Sequence, residues 1–341
     1  MRRAVLDLKA RRDVWRLPPW AVREIRRGFG AGWQVEELAA FADSDGDGSG
    51  SLAAARAVRG AEVYVGFGIA PDVAAAGRGS LRWVHSAAAG IGASLSPALR
   101  ATGARFTNSA GIHAEPLADW TITAIGMCLR GMHLALDGQR QRRWTKDAFT
   151  RAPTPVREFA GTRVGIVGLG GIGSAVARRC AALDMEVRAI RRHPGRPRPK
   201  GVRWVGGPGA VRTLARQSDV LVLSAPRTGR TDGLIDAAVL RALPAGAYVI
   251  NLGRGALLDE AALRVQLDRG RLAGCVLDVF RHEPLPRSHW AWRHPRVVVT
   301  PHVGAVSSRF WERQTALVIE NARRYRAGKP LRNVVRWGEG Y

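Results

Sequence analysis

Three segments near the end of the chain carry residue types that suit the reduction of a carbonyl group. Arg254 lies in NLGRGALLDE, Glu283 in LDVFRHEPLP and His302 in TPHVGA. Histidine donates a proton near neutral pH, and a carboxylate bonded to it raises its pKa and fixes its orientation. Arginine holds a carboxylate while polarising an adjacent ketone. These residues therefore indicate a site that binds a carboxylate-bearing ketone and protonates it.

Each of these segments follows an apolar run typical of a strand that is buried on both faces. From about residue 160 such runs alternate with amphipathic helical patterns, for example SAVARRCAALD. The runs are RVGIVG, EVRAI, DVLVLSA, GAYVIN, AGCVLDVF and RVVVT. The alternation predicts a parallel sheet with helices on both faces, and its carboxyl edge is where ligands bind.

The N-terminal third repeats this pattern more weakly and predicts a second α/β domain. Its strand candidates are RAVLDL, AEVYVGFG, LRWVHS and ARFTN. We expect residues 111–136 to form one long helix that crosses from the first domain to the second. The last helix, RFWERQTALVIENARRYRAG, has no following strand and is expected to return to the first domain.

A glycine pattern after the strand RVGIVG predicts a dinucleotide-binding turn. Gly168, Gly170 and Gly173 match GxGxxG, and they lie between a strand and a helix, which is the context that this motif requires. Gly168 allows the tight turn, Gly170 lets a pyrophosphate approach, and Gly173 lets helix and strand pack closely. The alternative is a plain strand-to-helix turn without a ligand.

The next strand ends in AIRRHPGRPRPK, where NAD-binding proteins carry an acid for the adenosine ribose, about 20 residues past the first glycines. Arg191 and Arg192 stand there instead. Arginine accepts no hydrogen bond but makes bidentate contacts to a phosphate, so this position favours NADP over NAD. Arg196 and Arg198 are expected to be solvated, and solvated surface charge remains an alternative for the whole group.

The segment DSDGDGSGSLAA, residues 43–54, begins like a calcium loop. An EF-hand needs a bidentate glutamate at its twelfth position, which is Ala54 here, although the preceding WQVEELAAF is compatible with an entering helix. We therefore interpret the segment as a turn-rich loop and predict no bound metal.

The composition is that of a folded protein with an excess of arginine. Hydrophobic residues make up 46% of the chain, and the net charge is +25. The surface would attract anions, but the residues show no DNA-reading motif and no apolar run as long as a membrane span, and we expect no signal peptide. The three cysteines, Cys128, Cys180 and Cys275, form no metal or disulfide pattern. We therefore expect a soluble cytoplasmic protein without a specific nucleic-acid partner.

The ordered set GLGGIG, NLGRGALLDE, LDVFRHEPLP and TPHVGA resembles the D-isomer-specific 2-hydroxyacid dehydrogenase family. The resemblance implies that Arg254, Glu283 and His302 are catalytic. It implies that SAAAGIGASL binds the substrate carboxylate through Ala89 and Gly90, with Arg254 and, as in glyoxylate/hydroxypyruvate reductases, Trp144 as further substrate contacts. Packing is an alternative role for Trp144. The cofactor contacts expected are Gly168, Leu169, Gly170, Gly171, Ile172, Gly173, Arg191, Arg192, Pro226 and Asp278. For Asp278, capping or orienting its neighbours is an alternative role.

The family plan implies two doubly wound domains. A flavodoxin-like substrate domain would contain residues 1–115 and 309–341, and a Rossmann domain would contain residues 116–308. The function implied is an NAD(P)H-dependent reductase of small 2-keto acids, with glyoxylate or hydroxypyruvate as substrate, NADPH preferred, NAD possible, and a homodimer. A dinucleotide-sensing, corepressor-like regulator of the same fold is the alternative.

Overall fold

The chain divides into two units, and the computed structural model describes residues 1–42, 51–152 and 154–337. Unit 1 contains Met1–His113 and Val306–Tyr341, and unit 2 contains Ala114–Ala305. The boundaries expected from the sequence, after residues 115 and 308, lie slightly further along the chain. The calcium-loop-like residues 43–50 lie outside the described residues.

Strands and helices alternate along most of the chain. The strands are β1 (Arg2–Asp7), β2 (Trp33–Glu37), β3 (Val63–Gly66), β4 (Trp83–Ser86), β5 (Arg105–Asn108), β6 (Arg163–Val167), β7 (Glu186–Ile190), β8 (Val202–Gly206), β9 (Val220–Leu223), β10 (Ala247–Asn251), β11 (Leu272–Leu277) and β12 (Val297–Val299). The helices are α1 (Pro19–Phe29), α2 (Leu52–Ala57), α3 (Pro71–Ala76), α4 (Pro97–Ala101), α5 (Ala114–Leu129), α6 (Met132–Arg140), α7 (Asp147–Thr150), α8 (Gly171–Ala182), α9 (Val211–Arg216), α10 (Ala237–Ala242), α11 (Glu260–Asp268) and α12 (Phe310–Arg326). Short 3-10 turns occur at Asp13–Trp15, Gly92–Ser94, Pro208–Ala210, Gly255–Leu257 and Trp290–Trp292. The alternation is interrupted where α5, α6 and α7 are consecutive, where the described residues 191–201 between β7 and β8 include no helix, and where a 3-10 turn separates β11 from β12.

Unit 1 is a parallel sheet in the order β2-β1-β3-β4-β5, which is the flavodoxin-like order expected from the sequence. Successive side chains of β1 enter different cores: Leu6 packs with residues of α1 and α12, and Val5 packs with residues of α2 and α3. Both faces of the sheet are therefore covered, which explains why residues 4–6 of β1 and 63–65 of β3 are buried in succession. The last helix, α12, belongs to this unit and packs against α1.

Unit 2 is a parallel sheet in the order β12-β11-β10-β9-β6-β7-β8. The order runs outward in both directions from β6 and β9, as in a Rossmann fold, so the predicted fold class is confirmed. Ile166 and Val222 face one apolar core, and Val167 and Leu223 face the other. The gap between the loops that follow β6 and β9 is the switch point at which such sheets bind ligands.

One expectation for a helix was wrong, and one segment that was compatible with a helix forms a strand instead. WQVEE, which was compatible with a helix, forms β2, because Trp33 to Glu37 pair in parallel with β1 from Arg2 to Leu6. The single long helix expected over residues 111–136 is broken into α5 and α6, and both lie in unit 2. Gly131 separates them with a φ of +62°, a left-handed conformation that ends a helix.

The described residues include no helix that is long and apolar enough to cross a membrane. The three cysteines are buried and not paired with one another.

Candidate active site

A glycine-rich turn joins β6 to α8 and leaves open space at its centre. Gly168 has a φ of +103°, and a Cβ there would lie 2.6 Å from the backbone nitrogen of Ala225. A Cβ on Gly173 would overlap the carbonyl oxygen of Gly168. At Gly170, the N-cap of α8, a Cβ would meet no atom within 4 Å. The turn is thus closely packed at Gly168 and Gly173, and it leaves space for a ligand at Gly170.

This open turn fits the pyrophosphate of a dinucleotide. The 12-residue helix α8 begins at Gly171 and presents its unpaired N–H groups and the positive end of its dipole at the turn. Gly171 is exposed and Ile172 half-buried, whereas Leu169 is buried and contributes packing.

The loop after β9 supports the glycine turn. The hydroxyl of Ser224 donates to the carbonyl oxygen of Gly168 at 2.8 Å. Sequence reasoning missed Ser224, whose only signal was its place directly after a strand. Pro226 follows it and is exposed at the same carboxyl edge of the sheet.

The loop after β7 is organised by its first arginine. The guanidinium of Arg191 donates to the carbonyl oxygens of Pro194 at 3.4 Å and Pro197 at 3.1 Å, and also to that of Arg196. The side chain of Arg192 is exposed. A 2′-phosphate at this site would therefore compete with the carbonyl groups of the loop for the guanidinium of Arg191.

His302 and Glu283 form a short charged hydrogen bond between the loops after β12 and β11. His302 Nδ1 lies 2.7 Å from Glu283 Oε2, and the N–H of Phe280 donates to Glu283 Oε1 at 2.8 Å. The bond with Glu283 raises the pKa of His302 above 6.5, although burial opposes the shift. Burial acts to raise the pKa of Glu283, but its bonds to His302 and Phe280 outweigh burial and hold that pKa below 4.5. The pair therefore favours an imidazolium beside a carboxylate, with His302 Nε2 as the second N–H donor.

Asp278 fixes the loop that carries His302. Its buried carboxylate accepts hydrogen bonds from the hydroxyl of Thr300 at 2.6 Å and from the N–H groups of Val303 and Gly304, both at 2.9 Å. The N–H of His302 donates to the backbone oxygen of Asp278 at 2.9 Å. His302 has a φ of +55°, which side-chain-bearing residues rarely adopt, so these bonds offset a local strain.

Arg254 follows β10 and lies within electrostatic reach of Glu283 and His302. The side chain of the buried Asn251 donates to the carbonyl oxygen of Arg254 at 3.2 Å, a contact that sequence reasoning missed. A Cβ on Gly255 would overlap the backbone of Phe280, so the loops after β10 and β11 touch here. Burial lowers the pKa of Arg254, and the negative charge of Glu283 opposes this effect.

The structure thus brings the predicted Arg254, Glu283, His302 and Asp278 together at the carboxyl edge of unit 2, on the same edge as the glycine turn. Trp144, in the segment between α6 and α7, is 94% exposed. Ala89 and Gly90 belong to unit 1, where they follow β4; Ala89 is half-buried and Gly90 is exposed.

Comparison with protein families adds an independent observation. Residues 122–304, more than half of the chain, match the model of the D-isomer specific 2-hydroxyacid dehydrogenase NAD-binding domain. The matched region contains the glycine turn, Arg254, Glu283 and His302.

Among curated proteins, a glyoxylate/hydroxypyruvate reductase A of Salmonella typhi is 43% identical over 144 residues, which cover 42% of this chain and 46% of that protein. The match therefore spans less than half the length of this relative.

Two solved structures cover the chain much more fully. A D-isomer specific 2-hydroxyacid dehydrogenase from Xanthobacter autotrophicus Py2, in complex with NADPH and MES, is 27% identical, covers 99% of each chain and has a TM-score of 0.80. An NADPH-dependent glyoxylate/hydroxypyruvate reductase from Sinorhizobium meliloti, in complex with NADP and sulfate, is 27% identical, covers 100% of each chain and has a TM-score of 0.79.

Proposed function

The chain belongs to the D-isomer specific 2-hydroxyacid dehydrogenase family, and from that premise we propose that it reduces small 2-keto acids to D-2-hydroxy acids. The proposed substrates are glyoxylate and hydroxypyruvate, and the proposed cofactor is NADPH, with NADH as a weaker substitute. One observation carries the proposal: His302 and Glu283 form a 2.7 Å pair beside Arg254, on the sheet edge that also carries the glycine turn.

The proposed mechanism assigns one task to each side chain. His302 Nε2 donates a proton to the carbonyl oxygen of the keto acid. Glu283 keeps His302 protonated and, through Nδ1, oriented. Arg254 binds the acid and polarises its ketone. NADPH, when bound, supplies the hydride that the keto carbon receives.

The cofactor proposal rests on the open space at Gly170 and on the two arginines after β7. The glycine turn would hold the pyrophosphate, and Arg191 and Arg192 would bind the 2′-phosphate. The cofactors in the two similar structures support this choice, since one contains NADPH and the other NADP. We propose that Asp278 supports the nicotinamide end of the site through the His302 loop, which its carboxylate holds.

The substrate proposal assigns the carboxylate of the keto acid to the N–H groups of Ala89 and Gly90. Trp144 is proposed as a further substrate contact. Its 94% exposure leaves the indole unpacked, which favours a contact role over the alternative of packing.

The experiment that tests the function measures initial rates of NADPH and NADH oxidation with glyoxylate, hydroxypyruvate and phenylpyruvate. Fast turnover of a keto acid by the wild type and loss of turnover in His302→Ala would support the mechanism. His282→Ala is the matched control, because His282 is an exposed histidine of the loop that carries Glu283. Near-wild-type turnover in His302→Ala would exclude the mechanism.

We also propose a cytoplasmic homodimer that assembles through unit 2. The exposed Met132 and Leu136 of α6 are apolar side chains that a partner would cover, and the buried, unpaired cysteines suit a reducing compartment. Light scattering would give the mass, and a monomer at micromolar concentration would contradict the assembly. The hydrogen bonds and ion pairs of the described residues give no support to the alternative of a dinucleotide-sensing, corepressor-like regulator.

A further inference from the structure

The loop after β4 is held from one side by the residues at the end of β5. The N–H of Ser109 donates to the carbonyl oxygen of Ala88 at 3.2 Å. The side-chain amide of Asn108 donates to the carbonyl oxygen of Ala89 at 2.9 Å. Two consecutive carbonyl groups of this loop therefore point towards the end of β5.

The planarity of the peptide group then fixes the direction of two N–H groups. In a trans peptide the C=O and the following N–H point in opposite directions. Because the carbonyl groups of Ala88 and Ala89 point towards β5, the N–H groups of Ala89 and Gly90 point away from it. The hydrogen bonds within the described part of the chain include none that either N–H donates. Neighbouring N–H groups that point the same way form a site for an anion.

Asn108 is itself fixed on both sides. It is 5% exposed, and its side-chain oxygen accepts from the N–H of Ala110 at 3.2 Å. The N–H of Asn108 donates to the carbonyl oxygen of Asn333 at 3.1 Å. The side chain of Asn333 donates back to the carbonyl oxygens of Asn108 at 3.2 Å and Ala110 at 2.8 Å.

Asn333 lies in the C-terminal segment, which extends the sheet at β5. Thr107 forms an antiparallel bridge with Val334, and the N–H of Val335 donates to the carbonyl oxygen of Phe106 at 2.8 Å. Asn333 has a φ of +55°, a conformation that asparagine tolerates better than most residues. A chain of contacts thus runs from the C-terminal segment through Asn108 to the carbonyl group of Ala89.

We propose that Asn108 is a positioning residue that presets the N–H groups of Ala89 and Gly90 for the carboxylate of the substrate, and that Asn333 holds Asn108 in place. The inference rests on the proposed function for the identity of the anion. Asn108 touches the loop and not the substrate, so its removal frees the peptide between Ala89 and Gly90 to rotate.

The test compares Asn108→Ala with Thr102→Val. Thr102 is a matched control because it is also a buried polar residue of unit 1 that bonds to two backbone groups, the carbonyl oxygen of Leu99 at 2.6 Å and the N–H of Ala104 at 3.1 Å. We expect Asn108→Ala to raise the KM for glyoxylate about tenfold, which is about what one hydrogen bond contributes to ordering the loop. The kcat and the KM for NADPH should stay within about twofold of the wild type, and Thr102→Val should change none of the three.

Several outcomes would overturn the inference. An unchanged KM for glyoxylate would do so, as would an equal rise in the KM for NADPH, which would indicate a general structural defect. If Asn108→Ala does not fold, Asn333→Ala takes its place, with a smaller rise that is again confined to the KM for glyoxylate; an unchanged KM would count against the inference.

The two proposals can fail separately. If the wild type reduces no keto acid, the proposed function fails, and calorimetry with oxalate on the protein saturated with NADP tests the subsite alone. Binding that is about tenfold weaker in Asn108→Ala than in the wild type would support the positioning role. Equal affinity, or no oxalate binding by the wild type, would overturn it.

Discussion

Replacing Glu283 by glutamine should move the alkaline limb of the pH profile for keto-acid reduction to lower pH. Glu283 accepts two hydrogen bonds, from His302 Nδ1 and from the N–H of Phe280. A glutamine has one side-chain oxygen and satisfies only one of these donors, and it carries no charge. The imidazolium form of His302 therefore loses its charged partner.

The size of the shift follows from that single bond. A hydrogen bond to a charged group contributes about 1.5–3 kcal/mol, and partial exposure to water reduces it. The side chains of His302 and Glu283 are 48% and 34% exposed, so we take about 1.4 kcal/mol, which is about one pKa unit. Because the contact raises the pKa of His302, its loss lowers that pKa.

The assay is kcat/KM for glyoxylate reduction by NADPH between about pH 6 and pH 10. The wild type should be fastest while His302 is protonated, and its rate should fall as the pH rises through the raised pKa of His302. The midpoint of that fall should lie about one pH unit lower in Glu283→Gln. Glu312→Gln is the control, since Glu312 is an exposed glutamate paired with Arg309 at 2.7 Å. Identical midpoints in the wild type and Glu283→Gln would refute the reasoning.

Three further predictions concern the cofactor turn, the His302 loop and the choice of cofactor. Gly170→Val should fold like the wild type but raise the KM for NADPH about tenfold or more, because its side chain would enter the open space where the pyrophosphate binds. Gly173→Ala should instead lower the melting temperature, because its Cβ would overlap the carbonyl oxygen of Gly168. A normal KM for NADPH in Gly170→Val would contradict this binding site. Asp278→Ala leaves three hydrogen-bond donors without their acceptor, so it should lower the free energy of unfolding by about 3 kcal/mol and also lower kcat. A lower kcat at an unchanged melting temperature would favour a direct contact between Asp278 and the cofactor instead. Arg191→Ala should raise the KM for NADPH far more than the KM for NADH, with the exposed Arg196→Ala as control; equal changes in the two KM values would remove the phosphate role.

Much of the fold could be predicted from the sequence because strands buried on both faces of a parallel sheet have continuous apolar sequences. RVGIVG and GAYVIN are examples, since neighbouring residues in each face opposite cores and both must be apolar. The glycine turn could also be predicted, because the tight turn between a strand and a helix needs glycine at positions that are close together in the sequence.

Other parts of the fold depended on partners that lie elsewhere in the chain. WQVEE has no strong strand pattern and becomes β2 because β1 offers it a free edge. Gly131 ends α5 through its left-handed conformation, although the apolar pattern continues across it. Local patterns did not reveal either feature.

The sequence by itself determined the residue types of the candidate site, and their places after successive strands indicated one common edge. Only the tertiary structure decided how each is held. Asp278 bonds to residues more than 20 positions later, and Asn108 lies between Ala89 and Asn333. Such contacts leave no local pattern because a hydrogen bond depends on where the folded backbone brings a donor and an acceptor together. Residue types and strand order can be read along the chain, whereas the orientation of a side chain is set by neighbours that are distant in sequence.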